Sequence, residues 1–424
     1  MKMNPLLKQK RQRVPYGDVW DKPFIYLGVT YCNANLNKSF SKNVILALDI
    51  LSEKLQDNLY VGDSLCDIYQ GTSAVLMNAN GDIKSIVDVR QRKAVESLVE
   101  FVKNLDDGRK HAQCLLEMVN KKDEATIQAV LACHLFSPLL SEGKVFVDRT
   151  NRNPRKNSSE TFPTVGTSTD SNDDPLKVEC PFCKKANIKA DNTNFGCVDM
   201  WHGRADIVVK GDNGSMQEII KIAVDEDDEE GQGEPASKKA KIDEDIDLWY
   251  SLAEVKTEIE GSVTSDLRET QDYVQAISQT ILNSFLAVKL NKGLGSHLIP
   301  SFFVSPKYIY INFYNVEKDI LLVQDHPIKI FDKDGVNYWA ILSVWMALNF
   351  EKFPCEFQGD ASKKSGFQNW LQKHGVLEKY KNEITCKYTA ARKPAQEKTN
   401  STVNPMRVAE LFRKLIEGEN KDST

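Results

Sequence analysis

Two short stretches set charged side chains inside apolar runs. In WHGRADIVVKG (201–211) Asp206 precedes Ile-Val-Val, and in LAEVKTE (252–258) Glu254 and Lys256 stand two apart. Burying an unpaired charge costs several kcal/mol, so such positions need a partner that offsets the cost. Residues two apart on a strand share a face, which puts Glu254 and Lys256 on one side. Asp206 falls in a neighbouring strand candidate at a similar depth. Two carboxylates converging from adjacent strands form a hard oxygen site suited to Mg²⁺ or Mn²⁺. A lysine beside them orients a water or neutralises charge developing on a phosphate. Such a set would suit hydrolysis at a phosphate. E-x-K occurs at 142–144, 254–256 and 419–421, and only the middle copy lies in an apolar stretch behind a G-x-x-D strand.

A second constellation has the chemistry of a different metal. CPFC (180–183) supplies Cys180 and Cys183 at the spacing of half a zinc knuckle. Cys197 and His202 follow as a C-x₄-H second half, so zinc on Cys180, Cys183, Cys197 and His202 is the alternative cofactor. The plainer reading is free thiols before a strand, with His202 near the cleft.

These residues need elements to hold them. EATIQAVLACHLFSPLL (124–140) is strongly apolar, predicts a helix, and ends at Ser-Pro because the residue before proline disfavours helix. FGCVDMW and RADIVVK predict two strands joined at His202-Gly203, and SLAEVKT predicts a third. ETQDYVQAISQTILNSFLAVKL (269–290) reads as a long helix. SFFVS, YIYINFYN and DILLVQ read as further strands. The alternation argues an α/β sandwich with a mixed sheet. Upstream, SKNVILALDILSEKL (41–55) and AVESLVEFVKNL (94–105) carry helical spacing. WAILSVWMAL (339–348) is far short of the roughly 20 residues a membrane span needs and reads as a buried core helix, so no membrane is expected as a partner.

The chain has 424 residues, 41% hydrophobic and 27% charged, and a formal charge of −5. Residues 212–247 hold thirteen acids against four lysines, a net −9, which leaves +4 for the remainder. An acidic total is therefore no objection to a phosphate-bearing partner. The nine cysteines, an odd number, fit reduced thiols in cytosol or nucleus better than a disulfide framework. The start lacks the apolar region of a secretory signal.

The pattern GRAD…EVK behind a helix and ahead of a Gln-bearing helix resembles the PD-(D/E)xK nuclease superfamily, in its RecB-like exonuclease and resolvase-type branch. The resemblance covers roughly residues 110–325. It implies an αβββαβ restriction-endonuclease-like core with a mixed central sheet and helical N- and C-terminal segments. It also implies Mg²⁺ (or Mn²⁺) on Asp206, Glu254 and the Val255 carbonyl, with Lys256 assisting the attacking water. Gln275 falls where such members carry a glutamine, and Gln279 stands where they carry tyrosine. The acid on the first core helix would be Glu124, with Glu117 behind it. No Pro-Asp dipeptide marks the first acid.

The organisation expected is a disordered basic start (1–22), a mixed, mainly helical segment (23–107), a nuclease-like domain (108–350) and a helical C-terminal segment with a flexible tail (351–424). Two insertions, 146–176 and 211–247, are rich in polar or charged residues and are expected to be disordered. Lys238, Lys239 and Lys241, with KQKRQR (8–13), form basic clusters of the kind an import receptor reads, so the expected location is the nucleus, with the cytoplasm as the alternative. The functional expectation is a metal-dependent nuclease acting on nucleic acid, DNA above all. The alternatives are an inactive nuclease-fold module binding nucleic acid or protein, and a zinc-containing interaction protein. Gln271, Gln275 and Gln279 recur on one side of their helix, as amides that reach phosphates or as a solvated flank.

Overall fold

The computed structural model describes residues 24–50, 63–106, 111–121, 123–148, 176–184, 188–197, 199–211, 217–222, 271–324, 326–333, 335–353 and 362–386. All of them belong to one compact unit, 1–227 with 266–389.

An eleven-stranded mixed sheet forms the middle layer. Its strands are β1 (Ile25–Cys32), β2 (Ile45–Asp49), β3 (Lys144–Asp148), β4 (Leu176–Val178), β5 (Ile188–Asp191), β8 (Ile207–Lys210), β9 (Gln217–Ile222), β10 (Ile299–Val304), β11 (Tyr308–Asn315) and β12 (Ile320–Val323), with Ile328–Lys329 paired to β11 off the main path. Between β5 and β8 in the chain, β6 (Asn194–Gly196) and β7 (Trp201–Arg204) make a hairpin in a separate four-stranded sheet. The order across the large sheet is β2-β1-β12-β11-β10-β9-β8-β3-β5-β4. β9 and β10 are parallel, as are β3 and β5.

Helices cover both faces. On one lie α1 (Val89–Asp106), α2 (His111–Met118), α3 (Glu124–Leu131) and α5 (Tyr338–Leu348); on the other lie α4 (Gln271–Leu290), α6 (Phe367–Lys373) and α7 (Leu377–Asn382). Strand alternation divides the core accordingly. Ile309, Ile311 and Phe313 of β11 join Leu131, Phe136 and Trp345, whereas Tyr310 and Tyr314 join Ile281, Phe285 and Phe367. With both faces covered, β10 and β12 are buried along their whole length. That is why β12 reads as an unbroken apolar run and β10 as one interrupted only by Ser301, rather than as alternating strands. Each large apolar side chain so buried contributes about 1.5–3 kcal/mol. The indole of Trp345 donates to the Ala94 carbonyl at 2.7 Å, tying α5 to α1.

The α/β class is as expected, and helices form within 94–105, 124–140 and 339–348 and over Gln271–Leu290. Three elements differ. Residues 45–49 are a strand, not part of a helix over 41–55, because the open edge of β1 takes the Ile-Leu-Ala-Leu run in antiparallel register. Gln217–Ile222, inside the insertion expected over 211–247, is β9, and the ends of the 146–176 stretch belong to β3 and β4. The hairpin turn lies at Cys197–Met200, and His202-Gly203 sits within β7. A two-residue turn at 202–203 would require RADIVV to pair back on FGCVDMW; instead the chain leaves the small sheet after Arg204 and enters the large one.

Candidate functional site

The tightest gathering of reactive side chains begins in the helix after Asp123. The Asp123 carboxylate accepts from the Thr126 amide at 2.9 Å and caps α3. Fifteen residues on comes Pro138, which has no N–H and whose ring clashes with the carbonyl four residues earlier, that of His134. The helix widens just there. Ala132–Phe136 is a π-turn, with the Ser137 amide donating to the Ala132 carbonyl. A wider turn brings successive side chains closer in direction, so the neighbours Cys133 and His134 point to one place. Both are buried.

Opposite them stands the C-P-F-C turn between β4 and β5. The Lys184 amide donates to the Cys180 carbonyl at 3.0 Å, with Lys184 in the left-handed region at φ 58° closing the turn. The amides of Phe182 and Cys183 donate to the Cys180 sulfur. Cys180 Sγ lies 3.3 Å from His134 Nε2, and Cys133 Sγ lies 3.8 Å from Cys183 Sγ. All four ligand atoms fall within 4.8 Å of one another. This buried Cys/His cluster can hold a metal ion such as zinc, and it is the only such group of three or more among the described residues.

The electrostatics of the pocket are those of a thiolate site. Hydrogen bonding from Cys133 first, then from His134 and the two turn amides, holds the Cys180 thiol well below the usual thiol range against the opposing effect of burial. Cys133, donating to Cys180 and buried, is held far up. Cys114 of α2 lies beside the cluster, and burial first, then the negative charge of Cys180 and Cys183, pushes it up to about 11. His111, also on α2, faces His134 through the two Nδ1 atoms at 3.1 Å.

Of the expected zinc set, the structure brings together Cys180 and Cys183 and leaves Cys197 and His202 elsewhere. Cys180 and Cys183 do converge with two further ligands, but these are Cys133 and His134. Cys197 and His202 belong to the small sheet and the other core. Cys197 Sγ donates to Glu383 Oε2 at 3.6 Å, and burial raises its thiol. His202 Nδ1 donates to the Met200 carbonyl of its own hairpin at 3.0 Å. The missed pair carried a signal: adjacent Cys and His five and four residues ahead of a proline, in a strongly apolar helix.

Asp206 sits at the head of β8, buried, and its Oδ2 accepts from the Ile222 amide of β9 at 2.7 Å. The Asp148 amide donates to the Asp206 carbonyl at 3.0 Å, and Asp148 is in register with Asp191 of β5. Three buried aspartates thus stand side by side across β5, β3 and β8. Arg204 pairs with Asp148 at 3.3 Å.

The strands beside β8 are β3 and β9. Glu254, Val255 and Lys256 lie outside the described residues, as do Lys238, Lys239 and Lys241. On α4, Gln275 is half-buried, while the buried Gln279 donates from Nε2 to the Arg204 carbonyl at 2.8 Å. Gln279, not Gln275, reaches the loop that bears Asp206. Glu124 accepts from Gln128 on its own helix at 3.1 Å. That helix packs on the face built by Ile207 and Val209, whereas alternation groups Asp206 with Val208 on the other.

Comparison of the chain with protein-family models, curated proteins and solved structures found no match in any of the three.

Proposed function

We propose that this chain acts on nucleic acid through a nuclease-type α/β core, and that its activity is hydrolysis of phosphodiester bonds in DNA. The observation that carries the reading is the position of Asp206. It is a buried carboxylate at the head of the second strand in the succession α3, β3, β8, β9, α4, β10. That succession runs helix, three strands, helix, strand, with the four strands adjacent in that order and β9 parallel to β10. With β4 to β7 set aside as an insertion between β3 and β8, this order supports the αβββαβ reading.

Among the described residues no three carboxylates come within ligating distance of one another, so they do not complete a Mg²⁺ or Mn²⁺ site by themselves. The second ligand of the proposed site is Glu254, with Lys256 as the cation that steadies the attacking water. Bound Mg²⁺ would polarise the phosphoryl oxygen. What the described residues supply is positioning. The Ile222 amide fixes one oxygen of Asp206, and Gln279 holds the loop ahead of it by the Arg204 carbonyl.

The test is cleavage of a labelled oligonucleotide with Mg²⁺ or Mn²⁺ by the full chain, against Asp206→Asn. Divalent-dependent cleavage lost in the variant supports the reading. No cleavage of any DNA or RNA substrate by the unaltered chain overturns it.

A second reading, a catalytically inactive nuclease-type module that binds nucleic acid or protein, is favoured by one observation. The β9 residues that hydrogen-bond around Asp206, Ile220 to Ile222, include no acid. Oligonucleotide binding without turnover selects it.

A further inference from the structure

We propose that Cys133, His134, Cys180 and Cys183 form a closed, four-coordinate zinc centre that staples the helical layer to the edge of the large sheet. The assignment is independent of the nuclease reading.

The distances fit one tetrahedral ion. With Zn–S near 2.3 Å and Zn–N near 2.0–2.1 Å, tetrahedral geometry sets sulfurs about 3.8 Å apart and sulfur from nitrogen about 3.5 Å. The observed separations are 3.8 Å for Cys133 to Cys183 and 3.3 Å for Cys180 to His134. A spread of no more than 4.8 Å over all four ligand atoms leaves room for a single ion at the centre. An iron–sulfur cluster holds its protein ligands on separate irons and needs a wider cage. Three thiolates and an imidazole are a soft set that suits zinc, and disfavours magnesium or calcium. Four protein ligands leave no open position for water or substrate, which makes the site structural rather than catalytic.

The surroundings are built for the ion. With Nε2 on the metal, neutral His134 carries its proton on Nδ1 and donates it to His111 Nδ1, 3.1 Å away. This is the outer partner that fixes the tautomer and ring plane of a ligating histidine. The Phe182 and Cys183 amides donate to the Cys180 sulfur. Three thiolates around Zn²⁺ leave one net negative charge, and the Lys121 ammonium lies 5.7 Å from the Phe182 ring centre at the rim of the turn. Cys133 and Cys180 are buried to 5% and 0% exposure, so an ion held there is shielded from exchange.

The staple has a structural consequence. It joins the π-turn to a loop some 50 residues further along the chain. That loop connects β4 to β5, the outermost strands on that side of the sheet. β5 carries Asp191, in register with Asp148 beside Asp206. Since zinc binding free energy in such a site is folding free energy, metal loss is expected to release the β4–β5 edge first.

The experiment is metal analysis of the full-length chain, purified under reducing conditions and reconstituted with zinc. The expected result is one zinc per chain, surviving desalting. Replacement by Co²⁺ should give the visible bands of tetrahedral cobalt with thiolate-to-cobalt charge transfer in the near ultraviolet. Cys133→Ser and His134→Ala should lose the metal, whereas Cys197→Ser and His202→Ala should keep it. Should the ligand variants fail to fold, two others decide. His134→Cys preserves four soft ligands and should retain zinc with a changed cobalt spectrum. His111→Ala should fold and lose zinc to a chelator about 10- to 100-fold more readily. The proposal is overturned by a reconstituted chain that holds no zinc, by iron in its place, by a Cys133–Cys183 disulfide in the reduced preparation, or by zinc that depends on Cys197 rather than Cys133.

Discussion

Cys180 Sγ and His134 Nε2 stand 3.3 Å apart although 46 positions separate them in the chain. One belongs to a tight turn at the edge of the sheet and the other to a π-turn in a buried helix. The contact is made by the way β3 leaves that helix and β5 then pairs parallel to β3. A parallel pair requires a crossover of a dozen or more residues, and the knuckle lies on that crossover. The same pairing that aligns Asp148 with Asp191 therefore carries Cys180 back to His134.

The catalytic proposal makes a graded prediction. Asp206→Asn keeps an oxygen that can accept the Ile222 amide, so the fold should survive with a change in unfolding free energy of about 1 kcal/mol. Divalent-dependent cleavage should nevertheless be lost. Glu254→Ala should do the same, and Lys256→Ala should slow turnover by about a hundredfold while binding changes less. Turnover of the Asp206→Asn chain at the unaltered rate would remove Asp206 from the mechanism.

Asp319 gives a pH prediction. Burial raises its pKa, against the opposing hydrogen bonds of Ser365 and Tyr314. The Ser365 and Tyr314 hydroxyls donate to its Oδ1 at 2.6 and 2.7 Å. A carboxyl whose pKa is higher in the folded than in the unfolded chain keeps a proton that the unfolded chain has released. Its contribution to stability is then greatest below the unfolded value, near pH 4, and declines as pH rises through the folded value. Asp319→Asn retains the acceptor oxygen and should remove that decline. Denaturant titrations of both chains across this range, compared as a difference, measure it; a constant difference would show that Asp319 ionises as it does in the unfolded chain.

Gly196 is required by the hairpin that carries His202. Its φ is +137°, and a Cβ there would lie 2.5 Å from both the Trp201 carbonyl oxygen and the His202 Cα. Backbone atoms of a paired strand cannot step aside. Gly196→Ala should destabilise the chain by about 1–3 kcal/mol, read as a lowered thermal midpoint. Zinc content should stay at one per chain, because the hairpin supplies no ligand.

The basic cluster Lys238, Lys239 and Lys241 leads to a localisation proposal. A tagged chain should concentrate in the nucleus, and the triple change to alanine, with Lys10, Arg11 and Arg13 if needed, should disperse it. Imaging of the tagged variants measures this, and undiminished enrichment would assign import to another segment.

Much of the architecture was legible from the residues because burial writes itself into periodicity. The helix Gln271–Leu290 and the apolar strands Ile299–Val304, Tyr308–Asn315 and Ile320–Val323 declare themselves by spacing and run length. The helix over 124–140 does so too, although it runs through Ser137-Pro138 to Leu139 instead of ending at the Ser-Pro step. Asp206 could be singled out as a lone carboxylate in an apolar stretch, and Cys180 with Cys183 as a knuckle. Partner choice was not legible. Whether 45–49 becomes helix or strand depends on the free edge of β1, and which strand flanks Asp206 depends on the order of the sheet. The other half of the metal cluster depends on both. C-x₂-C fixes two sulfurs through local turn geometry, a short-range matter that the sequence states outright. The remaining ligands are fixed by a parallel crossover and a proline-widened helical turn. Sequence distance carries no trace of that meeting, so Cys197 and His202, nearer along the chain, were the natural guess, and Cys133 and His134, nearer in space, are the residues that meet the knuckle.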